Sequence, residues 1–560
     1  MTEPATSRPR RKIWGWGLEG EGLGDAERAA LAATLAKRHG VAELKPQRRP
    51  PRVAEVELPA PRLEPPATLA ERFTAEPTER LLHAYGKSYP DTVRALRGEF
   101  PDPPDLVAYP RDESDVVAIL DWAGERNAAV VPFGGGSSVC GGVEPAVGGS
   151  YAGTISLDLR ELDRLLEVDR ASRAARFQAG IRGPALEAAL KPHGLTLRHF
   201  PQSFEHSTLG GWIATRSGGH YATLYTHIDD LVESLRAVTP AGVFESRRLP
   251  GSGAGPSPDR MLIGSEGILG VITEAWMRLQ DRPRFRASAA VRFDDFLAGA
   301  TAVRALSQSG LFPTNCRLID AQEAAGTGAG DGESALLVLG FESADHPLEP
   351  WMARALELAR DHGGTVHVAE GEAGHREGAA GAWRDAFLRA PYLREAMVPL
   401  GVIADTFETA ITWDRFAALH TGIVERMSAV LREVTGRPGT VTCRFTHVYP
   451  DGPAPYFTFQ ALGSWDGLLE QWRQIKVAAN EAVIDLGGTI THHHAVGRDH
   501  RPGWERQRPP LFAAALRAAK HALDPHGVLN PGVLIDPQER EVGVTGALGS
   551  DVPSRTSPPG

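Results

Sequence analysis

The chain has 560 residues, which is too many for one hydrophobic core and indicates roughly two to four domains. Its formal net charge of −10 argues against a broad nucleic-acid-binding surface, and no apolar run reaches the roughly 18–20 residues of a membrane-spanning helix. Three widely separated cysteines, and the lack of an apolar stretch near Met1, predict a cytoplasmic protein without disulfides.

Residues 1–100 are rich in proline and arginine and contain one clear helical stretch, Asp25–His39. The basic start, Arg8–Lys12, is interpreted as a solvated tail. Repeated proline makes Pro46–Pro66 an extended linker, because proline blocks both helix and sheet. Beyond this region short apolar strands alternate with helical segments, which predicts an α+β domain over residues 101–282.

The most informative stretch of this domain is the loop Val131-Pro-Phe-Gly-Gly-Gly-Ser-Ser138. It follows a helix-like segment, Glu113–Asn127, and an apolar run, and it precedes an apolar strand, Thr154–Leu159. Three consecutive glycines let a backbone pass close to a ligand and turn its N–H groups onto an anion. The loop is neither a Walker loop nor a G-x-G-x-x-G turn. Alone, it fits a pyrophosphate cradle or a plain tight turn about equally.

Two more loops in the same domain combine glycines with hydroxyl groups. The loop 201–215 contains Gly210 and Gly211, which can start a helix whose free N–H groups face an anion. The loop 263–273 places three glycines before a β-branched strand. Each loop could be an ordinary turn, but three such loops along one α+β unit together indicate a nucleotide site much more specifically.

A second α+β block spans residues 283–500, after the Pro/Arg run that ends at Arg284. Its predicted helices lie near Phe296–Ser309, Trp351–His362, Trp413–Thr435 and Leu468–Leu486. The segment from Gly371 to Pro399 is a candidate mobile lid. A last helix, Pro510–Leu523, belongs to a C-terminal segment, 501–537, that packs on the first domain. The tail 538–560 is rich in Gly, Ser and Pro and is predicted to be disordered.

The three loops resemble the flavin-binding domain of the vanillyl-alcohol-oxidase superfamily. Within it, the chain is most similar to the alkyldihydroxyacetonephosphate synthase family. Further matches to that family cover roughly residues 12–535 and lie at Trp14–Gly17, Asp405–Arg415, Thr442–Thr446, Tyr456–Phe459 and Thr491–Gly497. The glycine loops are shared across the superfamily, whereas the histidine triplet and the Phe-Glu-Thr motif are specific to this branch.

The resemblance implies an α+β fold with a PCMH-type FAD-binding domain and an antiparallel-sheet substrate domain of the FAD-linked oxidase type. It implies non-covalent FAD, because Cys140 is not placed for attachment to the flavin. It also implies that the acyl group of acyl-dihydroxyacetone phosphate is exchanged for a long-chain alcohol through a flavin N5 adduct, without net redox change. Lipid substrates, peripheral membrane contact and a homodimer are compatible with that family.

Other functions remain open at the level of sequence. The first is an FAD-dependent oxidase or dehydrogenase of a 2-hydroxy acid or alcohol, because the cofactor domain alone does not fix the reaction. The others are a zinc-dependent hydrolase and a flavin-binding protein without turnover. For the lipid chain, the segments Ala386–Leu393 and Met397–Ile403 are candidate tunnel walls, with ordinary core packing as the alternative.

Cofactor contacts carried over from the family fall on the three loops. They are Pro132, Phe133, Gly134, Gly135, Gly136, Ser137, Ser138, Gln202, Ser203, Ser207, Thr208, Gly210, Gly211, Thr215, Glu266, Gly267, Gly270, Val271 and Ile272. The pyrophosphate is expected on Gly134–Ser138, and the isoalloxazine ring is expected to face the second domain.

Three residues match the family's catalytic and substrate positions. Tyr456 is the expected general acid/base, and its phenol needs a cationic neighbour because its ordinary pKa lies near 10. Arg444 is expected to hold the substrate phosphate, since a guanidinium offers a bidentate fork. Arg317 is expected near the flavin. The alternatives are an aromatic side chain on the inner face of its strand for Tyr456 and a surface ion pair for Arg444.

The histidine triplet, His492, His493 and His494, is expected to be a catalytic, partly cationic lining of the site. If the triplet lies in a strand, at most His492 and His494 share a face. A zinc site would need a third ligand from elsewhere, and the sequence shows no second cluster with suitable spacing. The sequence therefore favours a site without metal.

Overall fold

The computed structural model describes residues 10–221, 223, 227–367 and 389–536. Helices are assigned to Asp25–Arg38, Pro77–Leu82, Tyr89–Arg97, Glu113–Arg126, Gly183–Leu190, Leu209–Thr215, Ile228–Leu231, Asp259–Leu262, Phe296–Gln308, Ala321–Gly326, Glu349–Asp361, Trp413–Thr435, Leu468–Asp485, Arg501–Gln507 and Pro510–Leu523. Each helix predicted above is present, with ends within two residues. The predicted tail 538–560 and most of the predicted lid, 371–388, lie outside the described residues.

A four-stranded sheet carries the first glycine loop. Its order is β1-β2-β4-β3, and its strands are β1 (Phe73–Thr74), β2 (Leu106–Ala108), β3 (Ala129–Phe133) and β4 (Thr154–Asp158). Strands β2, β4 and β3 are parallel, so their carboxyl ends share one edge. The glycine loop leaves β3 at this edge, where ligands of open parallel sheets commonly bind.

A five-stranded antiparallel sheet carries the second and third loops on its packed face. Its order is β5-β6-β10-β8-β9, with strands β5 (Leu165–Asp169), β6 (Ala174–Gln178), β8 (Val232–Thr239), β9 (Gly242–Glu245) and β10 (Val271–Arg278). The helix Leu209–Thr215 packs on it through Trp212 and Ile213. A small ladder of β7 (Leu195–Thr196) and β11 (Gln280–Asp281) closes the unit.

A seven-stranded antiparallel sheet forms the second half. Its order is β15-β12-β14-β13-β17-β18-β16, with strands β12 (Phe285–Phe293), β13 (Asn315–Ile319), β14 (Ala335–Ser343), β15 (Thr365–His367), β16 (Val402–Glu408), β17 (Thr440–Val448) and β18 (Pro453–Leu462). Side chains alternate between its faces. One face packs Phe445, Phe457 and Phe459 in a core with the long helices. The opposite face therefore presents Arg444, Tyr456 and Glu408, which are cross-strand neighbours.

Within the described part of the chain, no helix is both long and apolar enough to cross a bilayer. All three cysteines lie in that part, where each is buried and unpaired. The absence of disulfides predicted from the sequence agrees with this arrangement.

The prediction of a solvated tail, Arg8–Lys12, is wrong for Arg11 and Lys12, although Arg10 is exposed. Arg11 Nη2 donates to the Gly135 carbonyl at 2.9 Å, on the outer side of the first glycine loop. Lys12 is buried and forms an ion pair with Glu395 at 2.6 Å. Glu395 also accepts the Trp16 N–H at 2.7 Å. Since Glu395 lies far along the chain, the local basic pattern carries no sign of this pairing.

Lys12→Met is expected to lower the free energy of unfolding by about 3 kcal/mol, because it leaves the Glu395 carboxylate buried without its cation. The side chains of this pair are only 7% and 5% exposed. Lys45→Met is the matched control, since its pair with Glu43 is 72% and 64% exposed and such pairs stabilise little. Thermal melts of both variants check this. Equal melting temperatures would show that the buried pair does not anchor the N-terminal segment.

Candidate active site

All three glycine loops and the polar face of the seven-stranded sheet border one cavity with an empty volume of about 1760 Å³. Every residue that the resemblance assigns to the cofactor lines this cavity. So do Arg317, Arg444, Tyr456, His493 and His494. His492 is not part of the wall and lies one layer behind it. The structure thus brings the loop residues and the residues expected to bind substrate to the same space.

The first loop fits a dinucleotide because its glycines leave no room for side chains. A Cβ at Gly135 would lie 1.9 Å from the His206 carbonyl oxygen, and one at Gly134 would lie 2.2 Å from Thr208 Oγ1. Gly136 adopts φ +66°, a left-handed conformation that favours glycine. The two loops therefore touch through backbone, which gives the cradle that a pyrophosphate requires.

The second loop does not offer the free helix N–H groups that the sequence analysis predicts. The N–H of Leu209 donates to Ile181 O at 3.0 Å, and that of Gly210 donates to Ala179 O at 2.7 Å. The N–H of Gly211 donates to the Thr208 hydroxyl at 3.4 Å. These bonds occupy the N–H groups at the start of the helix. Gly210 and Gly211 therefore let the backbone segments pack closely, but they do not form an anion site.

The third loop connects the nucleotide cradle to the histidine triplet through Glu266. Its carboxylate accepts the N–H groups of Val496 and Gly497, each at 2.8 Å. Burial raises the pKa of Glu266 to about 7, against the effect of these two amides. From the C-terminal segment, Asn530 Nδ2 donates to the Glu266 carbonyl at 2.7 Å. Glu266 therefore fixes the chain that leaves the triplet.

Arg444 and Tyr456 form a stacked pair on neighbouring strands. The Arg444 guanidinium carbon lies 3.9 Å from the centroid of the Tyr456 ring, so a cation stacks on the face of this phenol. Arg444 is buried, not a surface residue, and pairs with Glu323. Burial opposes the charge of Arg444, but Glu323 outweighs it and raises its pKa.

Arg317 makes the same wall strongly positive. It is 2% exposed, and burial, followed by the like charge of Arg444, lowers its pKa to about 9. The Tyr456 hydroxyl donates to Thr406 Oγ1 at 3.0 Å, within the same polar face. Two buried guanidiniums beside one carboxylate leave this wall with a net positive charge, which favours an anionic ligand group such as a phosphate.

The histidine triplet does not lie in a strand, contrary to the sequence interpretation. Residues 492–494 form a bend around the carboxylate of Glu408, at the end of β16. The N–H groups of His492, His493 and His494 donate to it at 2.6, 3.1 and 3.0 Å. Three successive amides can reach one carboxylate only when the backbone curls, so the alternation of a strand does not apply.

Three imidazoles of the site, those of His447, His492 and His494, are neutral, which corrects the predicted cationic lining at His492 and His494. Burial lowers the pKa values of His447, His492 and His494 well below the ordinary value. Burial would raise the pKa of Glu408, but the adjacent imidazoles, first of all His493 with its Nδ1 3.4 Å from the carboxylate, outweigh burial and lower that pKa instead. The fixed negative charge of the cluster therefore belongs to Glu408.

His447 supplies the third imidazole that the sequence analysis did not find. Ring nitrogens of His447, His492 and His493 lie within 4.8 Å of one another. Both nitrogens of His447 have other contacts, at 3.1 Å to Gly219 O and 3.0 Å to Thr446 Oγ1. His492 and His493 face each other at 3.0 Å through their Nδ1 atoms. These contacts favour a hydrogen-bonded network over a metal site.

Sequence reasoning missed Glu323, Glu408 and His447, although each lies close to a motif that it identified. Glu408 is the middle residue of the Phe-Glu-Thr motif, and strand alternation would have placed it opposite Tyr456. His447 follows the Thr442–Thr446 match on β17. Glu323 lies in a helix, Ala321–Gly326, and no local signal indicates its pairing with Arg444.

Glu408→Gln is expected to destabilise the protein by about 3 kcal/mol at pH 7, because it removes a buried charge that three amides and the triplet surround. The folded state lowers the pKa of Glu408, so its stabilisation is full above about 4.3 and is lost as pH falls toward the folded pKa. The difference in melting temperature from wild type should therefore shrink below that pH. Glu43→Gln, at an exposed position, is the control; a difference that stays constant would contradict this assignment.

Comparison with known proteins indicates that this chain belongs to a class of flavin-dependent proteins. A model described as "FAD binding domain" matches residues 104–246, and one described as "FAD linked oxidases, C-terminal domain" matches residues 282–534. A solved alkyldihydroxyacetonephosphate synthase shares the fold, with a TM-score of 0.77, 24% identity and coverage of 93% of this chain and 98% of that one. The fold and the glycine-lined cavity define a two-domain FAD-linked oxidase flavoprotein.

Two curated relatives narrow this class. The chain is 31% identical over 490 residues to the alkyldihydroxyacetonephosphate synthase of Trypanosoma brucei brucei, covering 82% of this chain and 78% of that protein. It is 32% identical over 497 residues to the synthase of Caenorhabditis elegans, covering 83% and 81%. The chain belongs to the alkyldihydroxyacetonephosphate synthase family.

Proposed function

We propose that the protein exchanges the acyl group of acyl-dihydroxyacetone phosphate for a long-chain alcohol and so forms an ether lipid precursor. The observation that carries this proposal is that Arg444 and Tyr456, stacked at 3.9 Å, face the same cavity as the three glycine loops. The relatives named as synthases support the same reaction.

In this proposal the polar wall of the cavity performs the substrate chemistry. Arg444 and Arg317 bind the phosphate dianion and so orient the neighbouring carbon, C1. The Tyr456 hydroxyl takes and returns the C1 proton, and the Arg444 guanidinium stacked on its ring holds the phenol in place. Bound FAD supplies an electrophilic ring nitrogen, N5, for the exchange at C1. The glycine loops hold its pyrophosphate and exclude water from it.

A second cavity, with an empty volume of about 1630 Å³, provides room for the alkyl or acyl chain. It shares Gln202, Arg394 and Arg444 with the first cavity, so the two meet at the proposed phosphate site. Leu393, Met397 and the methyl groups of threonines on β16–β18 line it. The described parts of both predicted tunnel segments contribute to this wall; residues 386–388 lie outside the described residues.

We also propose that the two halves of the chain bind different ligands. Residues 101–282 bind FAD, and residues 283–500 bind substrate. The segment 501–537 stabilises the FAD half, because Asn530 N donates to Val130 O at 2.8 Å on β3. A cytoplasmic protein, peripheral at a membrane surface where its lipid substrates reside, suits this function, and a homodimer is compatible with it.

FAD is proposed to be held without a covalent bond. Cys140 points away from the cavity, and its thiol donates to the His494 carbonyl at 3.1 Å. Burial raises the pKa of this thiol well above its ordinary value, which keeps it unreactive. Acid precipitation should release all yellow colour into the supernatant, and colour that stays with the denatured protein would contradict non-covalent binding.

Incubation of the FAD-loaded protein with palmitoyl-dihydroxyacetone phosphate and labelled hexadecanol in detergent tests the proposed reaction. Labelled hexadecyl-dihydroxyacetone phosphate and free palmitate are expected, and Tyr456→Phe should abolish both while it retains FAD. No alkyl product from wild type under these conditions would rule the function out.

The second candidate is an FAD-dependent oxidase or dehydrogenase of a hydroxy acid or alcohol. The match of residues 282–534 to FAD-linked oxidases favours it. Under anaerobic conditions, the substrate of such an enzyme bleaches the flavin absorbance. The proposed synthase reaction leaves the flavin oxidised after turnover, so one anaerobic spectrum separates the two functions.

A further inference from the structure

A chain of polar side chains extends behind the cavity wall, beyond the residues to which the proposed function assigns roles. His493 lines the cavity, and its Nδ1 lies 3.0 Å from Nδ1 of His492. Nε2 of His492 lies 2.8 Å from the Tyr449 hydroxyl and 3.1 Å from Nε2 of His227. His227 Nε2 and the Tyr449 hydroxyl are 2.7 Å apart. Every step is a hydrogen bond.

The outer end of this chain lies near the protein surface. Tyr449 and His227 are half-buried, and the outer nitrogen of His227, Nδ1, lies 3.3 Å from the Arg216 carbonyl near the surface. His492, between them and the cavity, is enclosed by its bonds to both sides. The chain therefore spans from the cavity wall to the edge of the protein.

The groups of this chain have the properties of proton carriers. A neutral imidazole donates through one nitrogen and accepts through the other, and a phenol hydroxyl both donates and accepts. Burial keeps His492 and His227 below their ordinary pKa, so neither traps a proton at neutral pH. The carboxylate of Glu408 holds the backbone of the triplet in place, which fixes the inner hydrogen bonds.

We propose that His493, His492, Tyr449 and His227 form a relay that exchanges the C1 proton of the bound substrate with solvent. Tyr456 takes the proton as the C1–H bond breaks, and the electron pair of that bond passes into the enolate of the neighbouring ketone. His493, whose ring centroid lies 6.0 Å from that of Tyr456 on the same cavity wall, carries the proton out of the cavity. Each later group accepts a proton on one atom and releases one from another, so the last proton reaches water. The return proton travels the same path inward. No electron is transferred, and each ring recovers its starting tautomer after the return.

This inference rests on the proposed function, because it assumes that C1 beside a ketone is deprotonated in the cavity. Tyr449 and His227 are positioning residues, since they act only through His492. Their side chains are not assigned to substrate or cofactor contact, and they do not line the cavity. Their replacement should leave both binding steps unchanged.

The test follows deuterium uptake at C1 of palmitoyl-dihydroxyacetone phosphate in D₂O without alcohol, by mass spectrometry of the FAD-loaded protein. Tyr449→Phe and His227→Gln are each expected to slow uptake by about tenfold. FAD and substrate dissociation constants should not change. Added imidazole should restore uptake in His227→Gln, an effect that a merely structural defect would not show.

Tyr151→Phe and His346→Gln are matched controls, because they make the same chemical changes away from the relay. Uptake in Tyr449→Phe and His227→Gln equal to wild type, or no uptake by wild type, would overturn the relay. So would one equivalent of bound metal whose removal by chelator abolishes uptake in wild type. Wild type that takes up deuterium but forms no ether with alcohol present would refute the proposed function and leave the relay standing.

Discussion

Gly135→Ala is expected to abolish FAD binding. The added Cβ would lie 1.9 Å from the carbonyl oxygen and 2.7 Å from the carbonyl carbon of His206, both backbone atoms. Neither can move without separating the first and second loops, and their contact forms the proposed pyrophosphate cradle. Overpacking of this kind costs about 1–3 kcal/mol in stability even where the structure adapts. FAD fluorescence quenching and thermal melts check both effects.

Gly149→Ala is the matched control for this substitution. Gly149 lies in the same half of the chain, and a Cβ there meets no atom within 4 Å. This variant should bind FAD as wild type does, with at most a small change in melting temperature. If Gly135→Ala bound FAD as tightly as Gly149→Ala, the first loop would not be the pyrophosphate site.

Arg444→Met is expected to lower kcat/KM by about 10³-fold, because a bidentate charge-assisted contact to the phosphate is lost from a buried site. FAD affinity should stay within about twofold, since Arg444 lies on the opposite wall from the glycine loops. The variant should also unfold about 3 kcal/mol more easily, because it leaves Glu323 buried without its cation.

The double variant Arg444→Met/Glu323→Gln separates these two effects. It removes the unpaired carboxylate together with the guanidinium, so stability should return toward wild type while activity stays lost. Recovery of activity in the double variant would mean that Arg444 only neutralises Glu323 and does not bind the substrate phosphate.

Much of the fold could be predicted from local sequence signals. The helices Trp413–Thr435 and Pro510–Leu523 have the predicted bounds because their apolar patterns and flanking turn residues mark both ends. The glycine loops carry their own signal, since three successive glycines have few structural uses. The resemblance supplied Arg444 and Tyr456 as site residues, whereas their pairing on neighbouring strands depends on a register that only the structure shows.

The contacts between distant parts of the chain could not be predicted in this way. The bend of the histidine triplet depends on Glu408, which lies more than eighty residues earlier. The burial of Lys12 depends on its ion pair with Glu395. The N–H of Gly210 is not free because it donates to the carbonyl oxygen of Ala179. Each is a long-range hydrogen bond or ion pair that leaves no periodic pattern in the sequence.

The central claim is that the glycine loops hold FAD with its ring beside Arg444 and Tyr456. The most direct measurement is a titration of FAD-loaded protein with palmitoyl-dihydroxyacetone phosphate, followed by the visible flavin spectrum. We expect a saturable shift of the flavin bands in wild type and none in Arg444→Met, although both hold FAD. An unshifted spectrum in wild type at concentrations that support turnover, or an equal shift in Arg444→Met, would contradict the account.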